Sequence, residues 1–269
     1  MSDLPDILQR IVDRRRARIE SQRSTAENAV RSGARPAASV TTDGGFVRCL
    51  TGTARRAVIA EVKLGSPRLG SLVDAIDPEA QARLYSRAGA AALSVVVEPD
   101  FFFGSYELLG RCREASGLPT LAKDFVIDPV QLEWSARAGA DAVLLIAAIV
   151  SRNELLSLAR HARDLGLVPL VECHSPSDIA KLGEEPWELV GVNNRDLRSF
   201  EVDLERSIAL LDHLPAAARK VAESGIATRA DIERLAAAGF DAFLVGESLL
   251  TAPDPAASLR RLVGGERST

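Results

Sequence analysis

The sequence predicts an α/β fold, a (β/α)₈ TIM barrel with an N-terminal helical extension. Three observations carry that expectation. Eight short runs of Val, Leu, Ile and Ala recur between residues 57 and 246, and near-continuous apolar runs mark strands covered on both faces, as in parallel sheets. Helical patterns separate the runs, so that eight strand–helix units occupy about 210 residues, the length and period of such a barrel. All of the runs but DAVLLI also end on a charged, amide or glycine residue, and the chemistry of these barrels sits where the strands end.

The chain opens with an amphipathic helix over residues 4–20, with apolar positions at Leu4, Ile7, Leu8, Ile11, Val12 and Ile19 and a cap at Ser2 or Asp3. Its basic run DRRRAR (13–18) reads as a solvated helix face, because acids flank it. The polar piece at 21–45 reads as a second helix or a loop leading into the barrel. The strands follow in order: AVIAEVK (57–63), AALSVVVE (91–98), PTLAKD (119–124), DAVLLI (141–146), VPLVE (168–172), LVGVNN (189–194), RKVAESG (219–225) and DAFLVG (241–246). Between them DPEAQARLYSRAGA, DPVQLEWSARAGA and TRADIERLAAAGF each open with a cap or Pro and close at Gly, the usual helix punctuation. The tail RLVGGERST reads as frayed. The expectation is a single barrel domain over 1–269, with 1–50 as its helical extension.

Composition narrows the function. The chain has 269 residues, 46% of them hydrophobic, and a net charge of −4, so no basic field points to nucleic acid. Cys49, Cys112 and Cys173 are odd in number and lack CxxC spacing, which favours a reducing compartment and no structural metal. No stretch reaches the ~18–20 apolar residues of a membrane span. MSDLPDILQR has acids where a secretion signal has positive charge. A cytoplasmic enzyme, monomeric or weakly oligomeric, is expected.

The strand ends carry Glu61, Lys63, Glu98, Lys123, Glu172, Asn193 and Glu223. Burying so many charges near one axis is unfavourable unless they serve a ligand or each other. Glu61 and Lys63 are two apart on a strand and share its inner face. Lys123 is expected to be desolvated near other cations, with a lowered pKa suited to proton transfer or Schiff-base chemistry. Glu172 is a candidate acid or base. Cys173 and His174 follow it, but adjacent strand residues face opposite ways, so no Cys–His dyad with Glu172 is expected. Asn193 and Arg195 suit hydroxyl and carboxylate groups. Gly225, Gly246 and Glu247, with the Ser224 hydroxyl, stand at the mouths of strands seven and eight, where such barrels cradle phosphate. In EPDFFFGSYE three consecutive Phe residues cannot all be core, and at least one is expected to line a slot for a flat ring.

The motifs IAEVKxxSPxxG, EPxFFxGS, KDFxID, LVExH, GVNNRDL, VAESGI and LVGESL, in that order over roughly 57–250, resemble indole-3-glycerol-phosphate synthase. The resemblance implies closure of 1-(2-carboxyphenylamino)-1-deoxyribulose 5-phosphate to indole-3-glycerol phosphate, with loss of carbon dioxide and water and without metal or cofactor. It implies catalytic roles for Glu61, Lys63, Lys123, Glu172, Asn193 and Glu223. For the substrate it implies Ser66, Glu98, Phe102, Phe125, Arg195, Ser224, Gly225, Gly246 and Glu247. The chain departs from the family at Leu64, where a basic residue is usual, at Gly65, and at Arg68, where a small serine is common. A looser lid with a weaker hold on the anthranilate end is the expectation from Leu64 and Gly65. The alternatives are an analogue-specific synthase, a phosphoribosylanthranilate isomerase-like barrel and a non-catalytic sugar-phosphate binder. The isomerase needs a Cys–Asp pair at strand ends, which is missing here. A binder has no use for Lys123, Glu172 and Glu61 together.

Overall fold

Every one of the eight apolar runs forms a strand. They are β1 (Ala57–Val62), β2 (Ala92–Val96), β3 (Thr120–Lys123), β4 (Ala142–Ile146), β5 (Val168–Cys173), β6 (Leu189–Asn193), β7 (Arg219–Glu223) and β8 (Ala242–Val245). All pairs are parallel, each strand beside the next, and β8 closes the barrel on β1 through Ala57–Ala242 to Ala60–Val245. This computed structural model describes residues 6–30, 45–51, 55–196 and 201–264. Among the described residues no helix is long and apolar enough to cross a membrane.

The two faces of each strand belong to two different cores. Val58, Ala60 and Val62 pack outward with the helices, whereas Ala57 and Ile59 join Leu121, Leu144, Leu170, Leu189, Val221 and Leu244 inside the barrel. That is the period-two alternation of a strand used on both faces. The inward series changes character along each strand. On β1 it runs Ala57, Ile59, Glu61, on β5 Leu170, Glu172, and on β7 Val221, Glu223. An apolar floor thus lies beneath a charged upper layer. The floor is stoppered at the opposite end by a short helix, α2 (Gly45–Cys49), whose Phe46 is 1% exposed and packs with Leu50 in the inner cluster.

The barrel helices start where their caps predict. Asp77 accepts from the N–H groups of Glu79 and Ala80, both at 3.0 Å. Asp128 with Gln131, and Thr228 with Asp231, form reciprocal capping boxes. Two expectations need correction. The N-terminal helix, α1 (Asp6–Val30), continues well past residue 20, and the tail begins as helix, since Pro255–Val263 is helical with Leu262 and Val263 buried. The cap at Ser2 or Asp3 and the apolar position Leu4 fall outside the described residues.

Candidate active site

Above the apolar floor lies a cavity of about 710 Å³, and most of the residues singled out in the sequence line it. Glu61, Lys63, Lys123, Glu172 and Asn193 form its base, from four different strands or strand ends. Ser66, Phe102, Phe125, Arg195, Ser224, Gly225, Gly246 and Glu247 form its walls and rim. Two predicted residues are placed elsewhere. Glu223 is fully buried just beneath, its Oε2 receiving a hydrogen bond from Lys123 Nζ at 3.1 Å. Glu98 does not reach the cavity, because its carboxylate accepts from the backbone N–H groups of Asp100, Phe101 and Phe102 at 2.9, 2.7 and 3.0 Å. It shapes the aromatic loop. Phe103, with a left-handed φ of 59°, is turned outward, while Phe102 faces Phe125 with ring centroids 5.9 Å apart and lines the cavity.

Lys123 is the hub. Its ammonium lies 3.1 Å from Glu223, 3.8 Å from Glu172 and 3.9 Å from Glu61, and Lys63 sits 2.9 Å from Glu61. The expectation of a lowered lysine pKa is therefore corrected. Burial alone would lower it, but Glu223, Glu172 and Glu61 outweigh burial and raise it above the ordinary lysine range. Burial likewise opposes ionisation of Glu61, yet Lys63 and Lys123 hold its carboxyl below the usual value. Three carboxylates share two ammonium groups, leaving one negative charge too many for a dry site. The surplus falls on Glu223, pushed up to about 8 by burial against the pull of Lys123 and with the push of Glu172.

Glycines make room for this cluster. A Cβ on Gly191 of β6 would run into the Glu223 carboxylate, and one on Gly246 would strike that of Glu61. Gly246→Ala is accordingly expected to displace Glu61 and to lower kcat on the order of 10²-fold, the scale of small catalytic misplacements. A rise in KM alone in steady-state kinetics would show that Gly246 serves only the anion. At the neighbouring strand mouth Ser224 and Gly225 adopt successive left-handed conformations, φ 66° and 74°. This is unusual for Ser, and Asn194 Nδ2 secures the turn by donating to the Ser224 carbonyl at 2.9 Å.

His174 emerges as a neighbour of the site. Cys173 faces the outer core as expected, but His174, two residues beyond Glu172, shares its face and places Nε2 3.3 Å from Glu172 Oε1. Burial pushes this imidazole down to about 4. A histidine held neutral in the fold contributes stability above its unfolded pKa near 6.5, and that contribution is lost as pH falls toward 4. The difference is worth about 3 kcal/mol. Urea unfolding of the parent protein should show this loss between pH 6.5 and 4, and His174→Asn should flatten it. An identical slope in the variant would assign the loss to other groups.

The roof of the cavity is built from the N-terminal helix, beyond what the strand ends alone imply. Ile7, Leu8 and Ile11 of α1 line the cavity from above. Within the run taken for a solvated face, Arg15 is 1% exposed and grips Asp124, the residue after Lys123, through Nε at 3.1 Å and Nη2 at 2.5 Å. Tyr106 and Gln131 donate to the same carboxylate at 2.8 and 3.0 Å. Arg18 holds Asp100 in a bidentate pair at 2.7 and 2.8 Å. The available signal was spacing, since Arg15 occupies the helical position between Ile11 or Val12 and Ile19 that belongs to the buried stripe.

The family model of indole-3-glycerol phosphate synthase matches residues 8–262. The chain belongs to the indole-3-glycerol phosphate synthase family. Family membership makes it an enzyme, a carboxy-lyase of tryptophan biosynthesis. An indole-3-glycerol phosphate synthase from Rhodopirellula baltica is 44% identical over 209 residues, which cover 78% of this chain and 81% of the relative. One from Carboxydothermus hydrogenoformans is 42% identical over 207 residues, 77% and 78% of the two chains. Among solved structures, 3-hexulose-6-phosphate synthase from Salmonella typhimurium superposes with a TM-score of 0.62 at 18% identity, covering 77% of this chain and 96% of that one, a likeness of fold alone.

The departures from the family pattern are placed differently from expectation. Leu64 is 8% exposed and belongs to the outer apolar cluster, so it does not replace a substrate contact, and Leu64→Arg would bury a guanidinium among hydrocarbon. Gly65 pairs in a short ribbon, Gly65–Ser66 with Gly70–Ser71, and a Cβ there would strike Gly70 O and the Phe103 ring. Its missing side chain permits close approach.

Proposed function

We propose that this chain, a single-domain cytoplasmic enzyme acting as a monomer or weak oligomer, closes 1-(2-carboxyphenylamino)-1-deoxyribulose 5-phosphate to indole-3-glycerol phosphate. The observation that carries the reading is the Lys123 ammonium set among Glu61, Glu172 and Glu223 at the base of a cavity walled by Phe102 and Phe125. The aromatic ring occupies the slot of Phe102 and Phe125 under Ile7, Leu8 and Ile11. The phosphate lies at the Ser224 hydroxyl and the backbone N–H groups of Gly225, Gly246 and Glu247, within the same rim as Arg195, and Ser66 and Asn193 hold the remaining polar groups.

The ring carbon bearing the carboxylate attacks the ketone carbon, and Lys123 protonates the carbonyl oxygen as it becomes a hydroxyl. Carbon dioxide leaves, and its bonding electrons restore the aromatic ring. Lys63 then protonates the hydroxyl, which departs as water. A carboxylate, Glu61 or Glu172, takes the proton from the methylene beside nitrogen to complete the indole. Glu223, hydrogen-bonded to Lys123 and held above the usual carboxyl range by burial, passes a proton back to that lysine, and solvent supplies the one proton consumed in each turnover. A Lys63–Glu61 pair at 2.9 Å and a Lys123–Glu172 pair at 3.8 Å support two separate acid–base sets for the two steps. Incubation with the substrate and detection of indole fluorescence, with carbon dioxide measured in parallel, tests the reading. Release of neither product would overturn it.

A further inference from the structure

Arg68 reaches across the mouth of the cavity. Its Nη2 meets Glu247 Oε1, and Arg195 Nη2 meets the other oxygen, Oε2, at 3.2 Å. The loop after β1, the loop after β6 and the first turn of Glu247–Leu250 thus converge on one carboxylate. Two guanidinium groups meet on this one carboxylate. Burial and then the proximity of Arg68 lower the pKa of Arg195, so the two cations feel each other. All three side chains line the same cavity as Ser224, Gly225 and Gly246.

We infer that the Glu247 carboxylate stands in for the substrate's phosphate, holding the guanidinium groups of Arg68 and Arg195 at the rim until the dianion replaces it. This rests on the reading of Ser224, Gly225, Gly246 and Glu247 as the phosphate end of the site. A phosphate dianion matches both the charge and the geometry better than the carboxylate does, offering two charges and three acceptor oxygens to two planar forks. The exchange is easily made. Arg68 is 58% exposed and Glu247 35%, and ion pairs in that setting contribute only about 0.2–1 kcal/mol. Arg68 is thereby a specificity residue for a doubly charged end group, and Glu247 sets how strongly that group must compete.

A staple that merely joins two loops makes the opposite prediction for the same variant. Removing its carboxylate loosens the rim and weakens anion binding. A stand-in, once neutralised, ceases to compete and strengthens it. Calorimetric titration of the full chain with inorganic phosphate, at ionic strength fixed with chloride, separates the two. Glu247→Gln is expected to lower the Kd for phosphate about three- to fivefold, the worth of one exposed ion pair. Arg68→Ser is expected to raise it by a similar factor, and Glu247→Gln added to Arg68→Ser should gain less than it does alone, because one of the two competed-for cations is gone. An unchanged or higher Kd in Glu247→Gln overturns the inference. The measurement needs no turnover, so absence of indole product in the parent would overturn the functional reading while leaving the titration to decide the role of Glu247.

Discussion

Lys123→Ala is expected to lower kcat by roughly 10²–10⁴, the range of a lost proton donor, with a much smaller change in KM. The ammonium at the hub is the acid we propose for ring closure, and its removal also strips Glu61, Glu172 and Glu223 of the cation they share. Lys123→Arg separates these two contributions. Arginine keeps the charge but holds its proton too firmly to donate it, so it should stay far below the parent rate. Near-parental kcat in Lys123→Arg, measured by indole fluorescence under saturating substrate, would reduce Lys123 to an electrostatic support. Because the three carboxylates raise its pKa, Lys123 is charged throughout the neutral range, and the alkaline limb of the rate profile should not track it below the ordinary lysine region.

Arg15→Ala carries the largest expected loss of stability, about 3–5 kcal/mol, as is usual when one partner of a buried ion pair is removed. Asp124 would be left with Tyr106 and Gln131 as its remaining side-chain donors, and the Arg15 guanidinium would no longer lie over the rings of Tyr106 and Trp134, at 5.8 and 6.0 Å from their centroids. Since Asp124 adjoins Lys123, and the same helix brings Ile7, Leu8 and Ile11 over the cavity, KM should rise together with the drop in denaturation midpoint. Adding Asp124→Asn should restore part of the stability, because it removes the stranded charge. A loss below about 1 kcal/mol for Arg15→Ala would mean that the pair is hydrated and contributes as surface pairs do.

The barrel was legible because its signal is local and repeated. Each of the eight runs lies within a residue or two of its strand, and the inward parity of Glu61 and Lys63 follows from strand geometry alone. The identity of most cavity residues followed from their places at strand ends. What escaped depended on contacts between distant segments. Arg15 looks like one member of a basic run until Asp124 is brought against it from 109 residues away. Glu98 looks like any other strand-end acid until the Phe loop folds back and offers it three N–H groups. The pKa of Lys123 depended on which neighbours lay nearest, and sequence order does not reveal whether those are cations or carboxylates. Leu64 keeps the outward parity of Val58, Ala60 and Val62 just past the end of β1, so it packs in the outer cluster and not toward the cavity.

The roof also constrains the order in which the molecule can be made. Synthesis from the N-terminus releases α1 before any of the strands that will receive it, and Asp124 is polymerised 109 residues after Arg15. Until β3 and Tyr106 exist, the stripe of Leu8, Ile11, Val12 and Ile19 has no surface to cover and Arg15 has no counter-ion. The barrel itself cannot close until β8 arrives to pair with β1. Helix α1 is therefore a late passenger that waits, apolar and basic, while the sheet assembles beside it. In a growing chain that wait is the interval in which a chaperone, or a second nascent copy, can find it first.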